Sequence, residues 1–257
     1  MRLLTRRELL TAVAGASLAP ALALAGGRTE AGAWDMAAAI RAAIEAPRIP
    51  QGDFPITEFG ALGDGKSDCT RAIANAISAA AASGGGRVVV PPGTYLTGPI
   101  HLEDRIELHL VKDATLSFIP EPQRYLPAVF TRWEGLELMG LSPLIYAYGK
   151  NDVAVTGEGT LDGGADETHW WPWKGSWKGR FGEAPRTQRE ARDQLLADAE
   201  AGVPPEQRHY AEGAYLRPPF IQTYHCNRVL IENVTITRSP FWLIHPVLST
   251  SVTVRGV

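Results

Sequence analysis

Apolar β-branched residues recur in the second half of the chain with one spacing that is repeated three times. Each copy begins with an isoleucine, followed eight and ten positions later by Val or Ile: Ile145, Val153 and Val155; Ile221, Val229 and Ile231; Ile244, Val252 and Val254. The last two copies begin 23 residues apart. This period is typical of solenoids, in which each repeat buries its apolar residues on the next. Because Asn, Gly and Ser turns separate the short β-branched segments, the pattern predicts an all-β solenoid.

The segment before the repeat predicts a separate cap. Residues 56–61 predict a short strand that leads into a glycine-rich turn at residues 63–68. Residues 69–82 then predict an amphipathic helix, because their apolar residues recur at helical spacing. Ser67 or Asp68 is its expected N-cap, since either side chain can accept a hydrogen bond from an unpaired backbone N–H.

The first residues have the pattern of an export signal. In residues 1–25 the pair Arg6-Arg7 precedes an apolar run, and Ala23-Leu24-Ala25 offers a small-x-small cleavage site. The arginine pair is similar to the twin-arginine (Tat) signal, although an ordinary Sec signal remains open. Either export machinery would place the mature protein in the periplasm or outside the cell. No later run has the roughly 18 apolar residues that a membrane span requires.

Two further segments interrupt the solenoid pattern. Residues 26–52 predict a leader with a short helix over 36–46, so the folded domain is expected at residues 53–257. A long insertion at about residues 163–217 contains a polar helix over 187–202 and a tryptophan-rich stretch with Trp170, Trp171, Trp173 and Trp177. Insertions of this kind become loops on one face of a solenoid, often the binding face. The tryptophans either form a platform for sugar rings or pack the loop on itself.

Composition and charge narrow the functional classes. The chain has 257 residues with 45% hydrophobic and 21% charged positions, which is typical of a globular protein. Its 25 basic and 28 acidic residues give a net charge of -3, so no nucleic-acid partner is indicated. An acidic substrate would need cations gathered locally in a groove. Cys69 and Cys226 match no metal-ligand spacing, and their pairing as a disulfide stays open. No cofactor or metal is indicated.

Several motifs resemble a known enzyme family when they are taken in order. Phe59-Gly60-Ala61 with Gly63-Asp64-Gly65 resembles the N-terminal motif of the pectin-degrading β-helix superfamily. Trp170-Trp171, Arg217-Pro218-Pro219 and the run Ser239-Pro240-Phe241-Trp242-Leu243-Ile244-His245-Pro246 are similar to bacterial glycoside hydrolases of family 28, the polygalacturonases. The resemblance implies a right-handed parallel β-helix with an N-terminal capping helix. It also implies inverting hydrolysis of α-1,4-linked galacturonate, with pectic polysaccharide or an oligogalacturonide as partner.

The family's catalytic segments are not found in this sequence. In the family the acid and base come from an Asn-Thr-Asp segment and an Asp-Asp pair, aided by Gly-His-Gly and Arg-Ile-Lys segments, and none of these occurs here. We therefore expect the catalytic aspartates downstream of Val257. The chain is then an N-terminal part of the β-helix, truncated on its C-terminal side and inactive alone.

The resemblance also suggests residues that contact the substrate. His245 and Trp242 are candidate substrate contacts, although His245 also suits a structural role between coils. Arg217 and Arg238 are candidate partners for a galacturonate carboxylate, because a guanidinium binds carboxylates in a bidentate fashion. Each could equally be a solvated surface arginine. Trp170 and Trp171 complete the substrate-binding candidates, whereas the adjacent Asp166 and Glu167 are expected to be solvated.

Two other functions remain open at this point. A pectate lyase of the same architecture would hold Ca²⁺ with several carboxylates, for which the sequence shows no acidic cluster. A non-catalytic polysaccharide-binding β-helix shares the fold, because a fold alone does not determine function. The long insertion favours exo-cleavage weakly, since loops that close one end of a groove restrict how a polymer enters.

Overall fold

The computed structural model describes residues 30–175 and 186–257. The predicted export signal at residues 1–25 and Trp177 lie outside the described residues. The described residues divide into two units, 30–43 and 44–257 with its gap. In the first, helix α1 spans Glu30–Ala43, so the leader helix begins earlier and ends sooner than the predicted 36–46. Within the described residues, no helix is long and apolar enough to cross a membrane.

The second unit is built from short strands. They are β1 (Asp53–Pro55), β2 (Asp64–Asp68), β3 (Gly86–Val90), β4 (Gly93–Thr97), β5 (Ile100–His101), β6 (Ile106–Leu110), β7 (Ala114–Phe118), β8 (Val129–Trp133), β9 (Leu136–Gly140), β10 (Ile145–Tyr148), β11 (Asn151–Gly157), β12 (Thr160–Asp162), β13 (His209–Tyr210), β14 (Ile221–Tyr224), β15 (Asn227–Glu232), β16 (Thr235–Thr237), β17 (Ile244–Val247) and β18 (Thr250–Arg255).

Most of these strands form three parallel sheets that wind around one core. The sheets have the orders β1-β3-β6-β11-β15-β18, β2-β4-β7-β12-β16 and β5-β10-β14-β17. Each full turn of the chain from β3 to β17 contributes one strand to each sheet and then begins the next coil above it. The second unit is therefore a right-handed parallel β-helix, as the sequence motifs predict. We call the sheet β5-β10-β14-β17 the groove sheet.

The threefold sequence repeat corresponds to the stacking of successive coils. Ile145 pairs in register with Ile100 and Ile221, and Ile221 pairs with Ile244. The residues eight and ten positions further along pair in the same way from coil to coil. Val153 pairs with Val229 and Val229 with Val252, and Val155 pairs with Ile231 and Ile231 with Val254. Burying one such side chain contributes about 1.5–3 kcal/mol. The predicted solenoid and its register are confirmed.

The N-terminal cap differs in detail from its prediction. Helix α2 spans Thr70–Ala82 and buries Ile73, Ala76 and Ile77 in the core. Its N-cap is Cys69, not Ser67 or Asp68, although Asp68 Oδ1 accepts the Thr70 N–H at 2.9 Å. Asp68, one residue before the N-cap, thus accepts a hydrogen bond from a backbone N–H at the start of the helix that has no partner within the helix.

Two predictions for the strands of the cap were wrong. The predicted strand at residues 56–61 contains a 3₁₀ helix, Ile56–Phe59, because the extended segment comes earlier, as β1. The predicted turn at residues 63–68 contains strand β2, since pairing with β4 extends the backbone there. Pairing with another strand therefore determines the backbone conformation here, and the local preference of these residues for a turn does not.

The two cysteines do not form a disulfide. Cys69 and Cys226 are free and buried. The Sγ of Cys69 lies 3.4 Å from the Leu62 carbonyl oxygen, and that of Cys226 lies 3.4 Å from the Ala147 carbonyl oxygen. Both side chains therefore behave as small apolar groups that pack inside the β-helix.

Two insertions pack together beside the groove sheet. The first is an antiparallel hairpin of β8 and β9, which the sequence patterns did not predict. The second contains the expected polar helix, α3 (Gln188–Glu200), and strand β13, which pairs with β9. A separate apolar cluster joins them, made of Trp133, Leu138, Leu195, Tyr210 and Leu216. We call this assembly of β8, β9, β13 and α3 the wall.

Adjacent leucines on α3 test how the wall is held. Leu195 is fully buried in the cluster, whereas its neighbour Leu196 is 49% exposed. We expect Leu195→Ala to lower the free energy of unfolding of the wall by about 2–5 kcal/mol, because it leaves a cavity. The matched control Leu196→Ala should change it by less than about 0.5 kcal/mol. Hydrogen exchange of the α3 and β9 amides measures both, and equal effects of the two substitutions would contradict this packing.

Candidate functional site

A row of polar and aromatic side chains faces outward from the groove sheet. The strands pair so that His101 lies beside Tyr146, Tyr146 beside Gln222, and Gln222 beside His245. Each follows an inward isoleucine, and successive residues of a strand point to opposite faces. The same register that stacks the isoleucines inside therefore aligns these four side chains outside.

A second outward row lies two residues further along the same strands. Tyr148 of β10 pairs with Tyr224 of β14, and their rings meet edge to face at 5.4 Å. His225 stacks on Tyr224 at 4.9 Å, and Phe130 of the hairpin lies 5.9 Å from Tyr148. Because Tyr148 is 42% exposed, this aromatic cluster offers an apolar surface to solvent.

Hydrogen bonds to these two rows of side chains attach the wall to the groove sheet. The Tyr146 hydroxyl donates to the Phe130 carbonyl oxygen at 2.5 Å, and the Tyr224 hydroxyl donates to the Glu137 carboxylate. Burial and, second to it, the hydrogen bond to Glu137 raise the pKa of Tyr224 well above its usual value. The wall thus packs directly onto the middle of the sheet and buries Gln222 and Tyr224, while Tyr148, His225, Trp242 and His245 stay partly exposed beside it. We call this partly exposed surface the groove.

Gln222 connects the wall to His245 and sets the tautomer of the histidine. Its Oε1 accepts the Thr131 hydroxyl at 2.7 Å, so its Nε2 faces the other way and donates to the Arg132 carbonyl oxygen at 3.3 Å. The same Nε2 lies 2.9 Å from His245 Nδ1. An amide N–H can only donate, so Nδ1 must accept. The proton of the neutral ring then sits on Nε2.

His245 is held in its neutral form. Burial, assisted by the positive charge of Arg132, lowers the pKa of His245 from its ordinary value to about 4. Its ring meets Trp242 edge to face at 4.4 Å. At neutral pH this histidine can therefore offer an Nε2–H donor to a ligand without carrying a charge.

Trp242 ends a stack of three aromatic rings. Trp133 stacks on Phe241 at 5.5 Å, and Phe241 stacks on Trp242 at 4.8 Å. Trp133 is buried, while Trp242 is 40% exposed. The stack fixes the exposed indole from behind, which leaves part of it open beside His245.

Arg217 lies under this stack and not in the groove. It is 8% exposed and donates to Gln188 Oε1 at 3.1 Å and to the Pro240 carbonyl oxygen at 3.0 Å. Its guanidinium lies 5.0 Å from the centre of the Phe241 ring. Burial lowers the pKa of Arg217 to about 10. The structure therefore places it as a support for the aromatic stack, not as a group open to a carboxylate.

The other predicted candidates are also tied to protein partners. Arg238 forms a bidentate pair with Asp162, so its guanidinium is already occupied. Trp170 is 1% exposed between Tyr125 and Trp173, so neither of its faces is open to a sugar.

Trp171 and Asp166 belong to the loop that carries Trp170. Trp171 donates its indole N–H to the Ser239 carbonyl oxygen at 2.9 Å and is half-buried. Asp166 accepts hydrogen bonds from Thr168 and His169, which keep its pKa well below its usual value. Asp166 therefore organises the loop as a fixed carboxylate. In residues 30–175 and 186–257, no group of three or more His, Cys, Asp or Glu side chains is placed to hold a metal ion.

The sequence patterns did not predict the hairpin of the wall, although the sequence contains a turn signal for it. Glu134 and Gly135 have φ of 43° and 93°, the left-handed conformations of a two-residue hairpin turn. A Glu-Gly pair between two alternating segments, residues 129–133 and 136–140, carries that signal. Without it, Gln222 and Arg132 could not be recognised as neighbours of His245.

Known proteins resemble the chain over most of its length. A family model described as "Rhamnogalacturonase A/epimerase, pectate lyase-like" matches residues 54–109. A probable polygalacturonase from Vitis vinifera is 26% identical over 211 residues, 79% of this chain and 35% of that protein. The crystal structure of a hyperthermoactive exopolygalacturonase from Thermotoga maritima is 48% identical, with a TM-score of 0.83 over 86% of this chain and 50% of that chain.

A third relative matches only the N-terminal part. A mannuronan C5-epimerase, AlgE3 from Azotobacter vinelandii, is 60% identical over 43 residues, 17% of this chain and 2% of that protein. The chain thus spans half or less of each of these relatives. The motifs, the relatives and the structure agree that the chain is similar to the polygalacturonases of glycoside hydrolase family 28 and has the pectin lyase-like fold.

Replacing Gln222 tests the hydrogen bond that sets the tautomer of His245. A carboxylate at position 222 would accept from a protonated Nδ1, so Gln222→Glu should raise the pKa of His245 from about 4 toward or above its ordinary value of 6.5. The matched control is Gln51→Glu at an exposed position, which should leave that pKa unchanged. An NMR titration of the His245 ring measures both. An unchanged pKa in Gln222→Glu would show that Gln222 does not control the ring.

Proposed function

We propose that this polygalacturonase-like chain supplies the N-terminal coils and one side of the substrate groove of an exported glycosidase that hydrolyses α-1,4-galacturonosyl links of pectin with inversion. One observation carries the proposal. The groove between sheet and wall holds a neutral histidine donor beside an exposed indole, in a chain 48% identical to an exopolygalacturonase over 86% of its length.

The groove suits sugar binding through two kinds of contact. An exposed indole can pack against the apolar face of a sugar ring, and the Nε2–H of His245 can donate to a hydroxyl or carboxylate oxygen. We assign Trp242 and His245 as substrate contacts. Arg217 and Trp170 support the groove from beneath, and Trp171 anchors the loop to Ser239 beside Trp242.

The catalytic carboxylates are proposed to lie C-terminal to Val257. Inverting hydrolysis requires one carboxylic acid at the leaving oxygen and one carboxylate that activates water, about 6.5–9.5 Å apart. The strands of the groove sheet, β5, β10, β14 and β17, contain no Asp or Glu. Glu137 of the wall is already bonded to the Tyr224 hydroxyl. The next coil on β17 would place its own outward residues beside His245, where an acid and a base are needed.

The position of the wall supports exo-action as part of this proposal. The wall rises on one side of the groove sheet and limits where a polymer can lie. The name of the Thermotoga maritima structure, an exopolygalacturonase, supports the same mode of action.

Two alternatives are weaker. The likeness to an epimerase covers 43 residues of the N-terminal part, so that part does not distinguish hydrolysis from other chemistry on uronates. A pectate-lyase mechanism would release an unsaturated product, and a binding module would release none.

The stereochemistry of the product tests the mechanism. A longer protein that continues past Val257 should release β-anomeric galacturonate from the α-linked polymer, which NMR of the first product shows. Residues 1–257 alone should release no reducing sugar. Release of the α-anomer would rule out inversion, and an unsaturated product would favour the lyase. Turnover by residues 1–257 would contradict the location of the carboxylates.

The arginine pair tests the export route. Replacement of Arg6 and Arg7 by lysine keeps the charge, so a Sec signal should still function, whereas a twin-arginine receptor should no longer recognise it. We expect the double variant to accumulate in the cytoplasm. Immunoblots of cell fractions measure the distribution, with Arg28→Lys, beyond the predicted cleavage site, as control. Undiminished export of the double variant would indicate the Sec route.

A further inference from the structure

The guanidinium groups of three arginines differ in what already binds them. Arg217 is buried against Phe241, and Arg238 is paired with Asp162. Arg132 of β8 is half-buried, and its Nε donates to the Gly135 carbonyl oxygen at 2.9 Å. The ion pairs found among the described residues do not include Arg132. Its two terminal nitrogens therefore remain open to an anion.

The hairpin itself explains why Arg132 keeps its charge unpaired. Its cross-strand partner is Glu137, but that carboxylate is bonded to the Tyr224 hydroxyl. The other carboxylate of the hairpin, Glu134 at the turn, pairs with Arg192 of α3 at 3.2 Å. Both nearby carboxylates are therefore engaged elsewhere.

A side chain of the groove sheet holds the backbone of Arg132 in place. Gln222 Nε2 donates to its carbonyl oxygen at 3.3 Å and to His245 Nδ1 at 2.9 Å, so one amide group joins the two residues. The charge of Arg132 also acts on both outward rows, since it lowers the pKa of His245 and opposes the rise in the pKa of Tyr224. On β8 its side chain shares a face with that of Phe130, two residues earlier, and with that of Glu137 across the hairpin. Because Phe130 contacts Tyr148 and Glu137 is bonded to Tyr224, Arg132 lies on the side of the wall that faces the groove sheet.

We propose that Arg132 binds the carboxylate of a uronate ring in the groove and so makes the site select acidic over neutral or esterified sugars. The inference rests on the proposed function, since it names the charge-selecting residue of that same groove. A guanidinium recognises a planar carboxylate through two parallel hydrogen bonds, which a methyl ester cannot reproduce. In a chain of net charge -3, such a local cation is what an acidic substrate requires.

Affinity for two ligands tests the proposal. The chain is titrated with trigalacturonate and with its fully methyl-esterified form, by NMR or calorimetry. The wild-type chain should prefer the free acid, and Arg132→Met should weaken binding of the acid by about tenfold or more while leaving the ester unchanged. Arg132→Lys should retain part of the preference, because the charge remains without the bidentate geometry. Arg71→Met, at an exposed position of α2, is the matched control and should bind like the wild type.

The outcomes separate this inference from the proposed function. If the wild type prefers the acid and Arg132→Met retains that preference, Arg132 is not the selecting residue, and the proposed function stands. If the wild type binds neither ligand, both proposals fail. If Arg132→Met binds neither ligand and its His245 NMR resonance is shifted, the substitution has disrupted the structure of the wall. Arg132→Lys then decides, since full loss of acid preference with a native His245 signal would overturn the charge-based account.

Discussion

The in-register stacking of parallel coils is the constraint on which the rest of the structure depends. Ile100, Ile145, Ile221 and Ile244 lie above one another because each buries its side chain on the next. A slip of one residue would turn every inward side chain outward. The hydrophobic core therefore also fixes the outer row that ends at His245. The same in-register packing therefore stabilises the β-helix and aligns the side chains of the site.

The groove combines this regular scaffold with irregular insertions. The sheet supplies aligned side chains, while the wall supplies the groups that make them useful: a carbonyl and a hydroxyl that orient Gln222, and a cation beside His245. The wall is held by its own apolar cluster and by polar contacts to the sheet.

The sequence alone predicts the features that repeat or have strong local signals. The spacing of Ile145, Val153 and Val155 in three copies was enough to derive the solenoid and its register, because the repeat and the coil have the same period. The predicted export signal is equally local, although it lies outside the described residues. The family motifs point to Trp242 and His245, whose rings contact one another and whose role as substrate contacts stays a prediction.

The remaining features depend on contacts between distant segments. Arg238 is paired because Asp162, 76 positions earlier, binds its guanidinium. Arg132 is unpaired because the neighbouring Glu134 and Glu137 are bonded to Arg192 and Tyr224, which are distant in sequence. For that reason Arg217 and Arg238 were candidates and Arg132 was not. Likewise the burial of Trp170 follows from its contact with Tyr125, 45 positions earlier in the chain.

The central claim is that the groove between the groove sheet and the wall binds uronate sugars. Backbone and side-chain NMR of residues 44–257, recorded as trigalacturonate is added, tests it most directly. The account predicts saturable shifts that cluster at Tyr148, His225, Trp242 and His245, with the opposite sheet, such as Thr156 and Glu232, unaffected. Shifts that cluster elsewhere, or none at millimolar sugar, would contradict it.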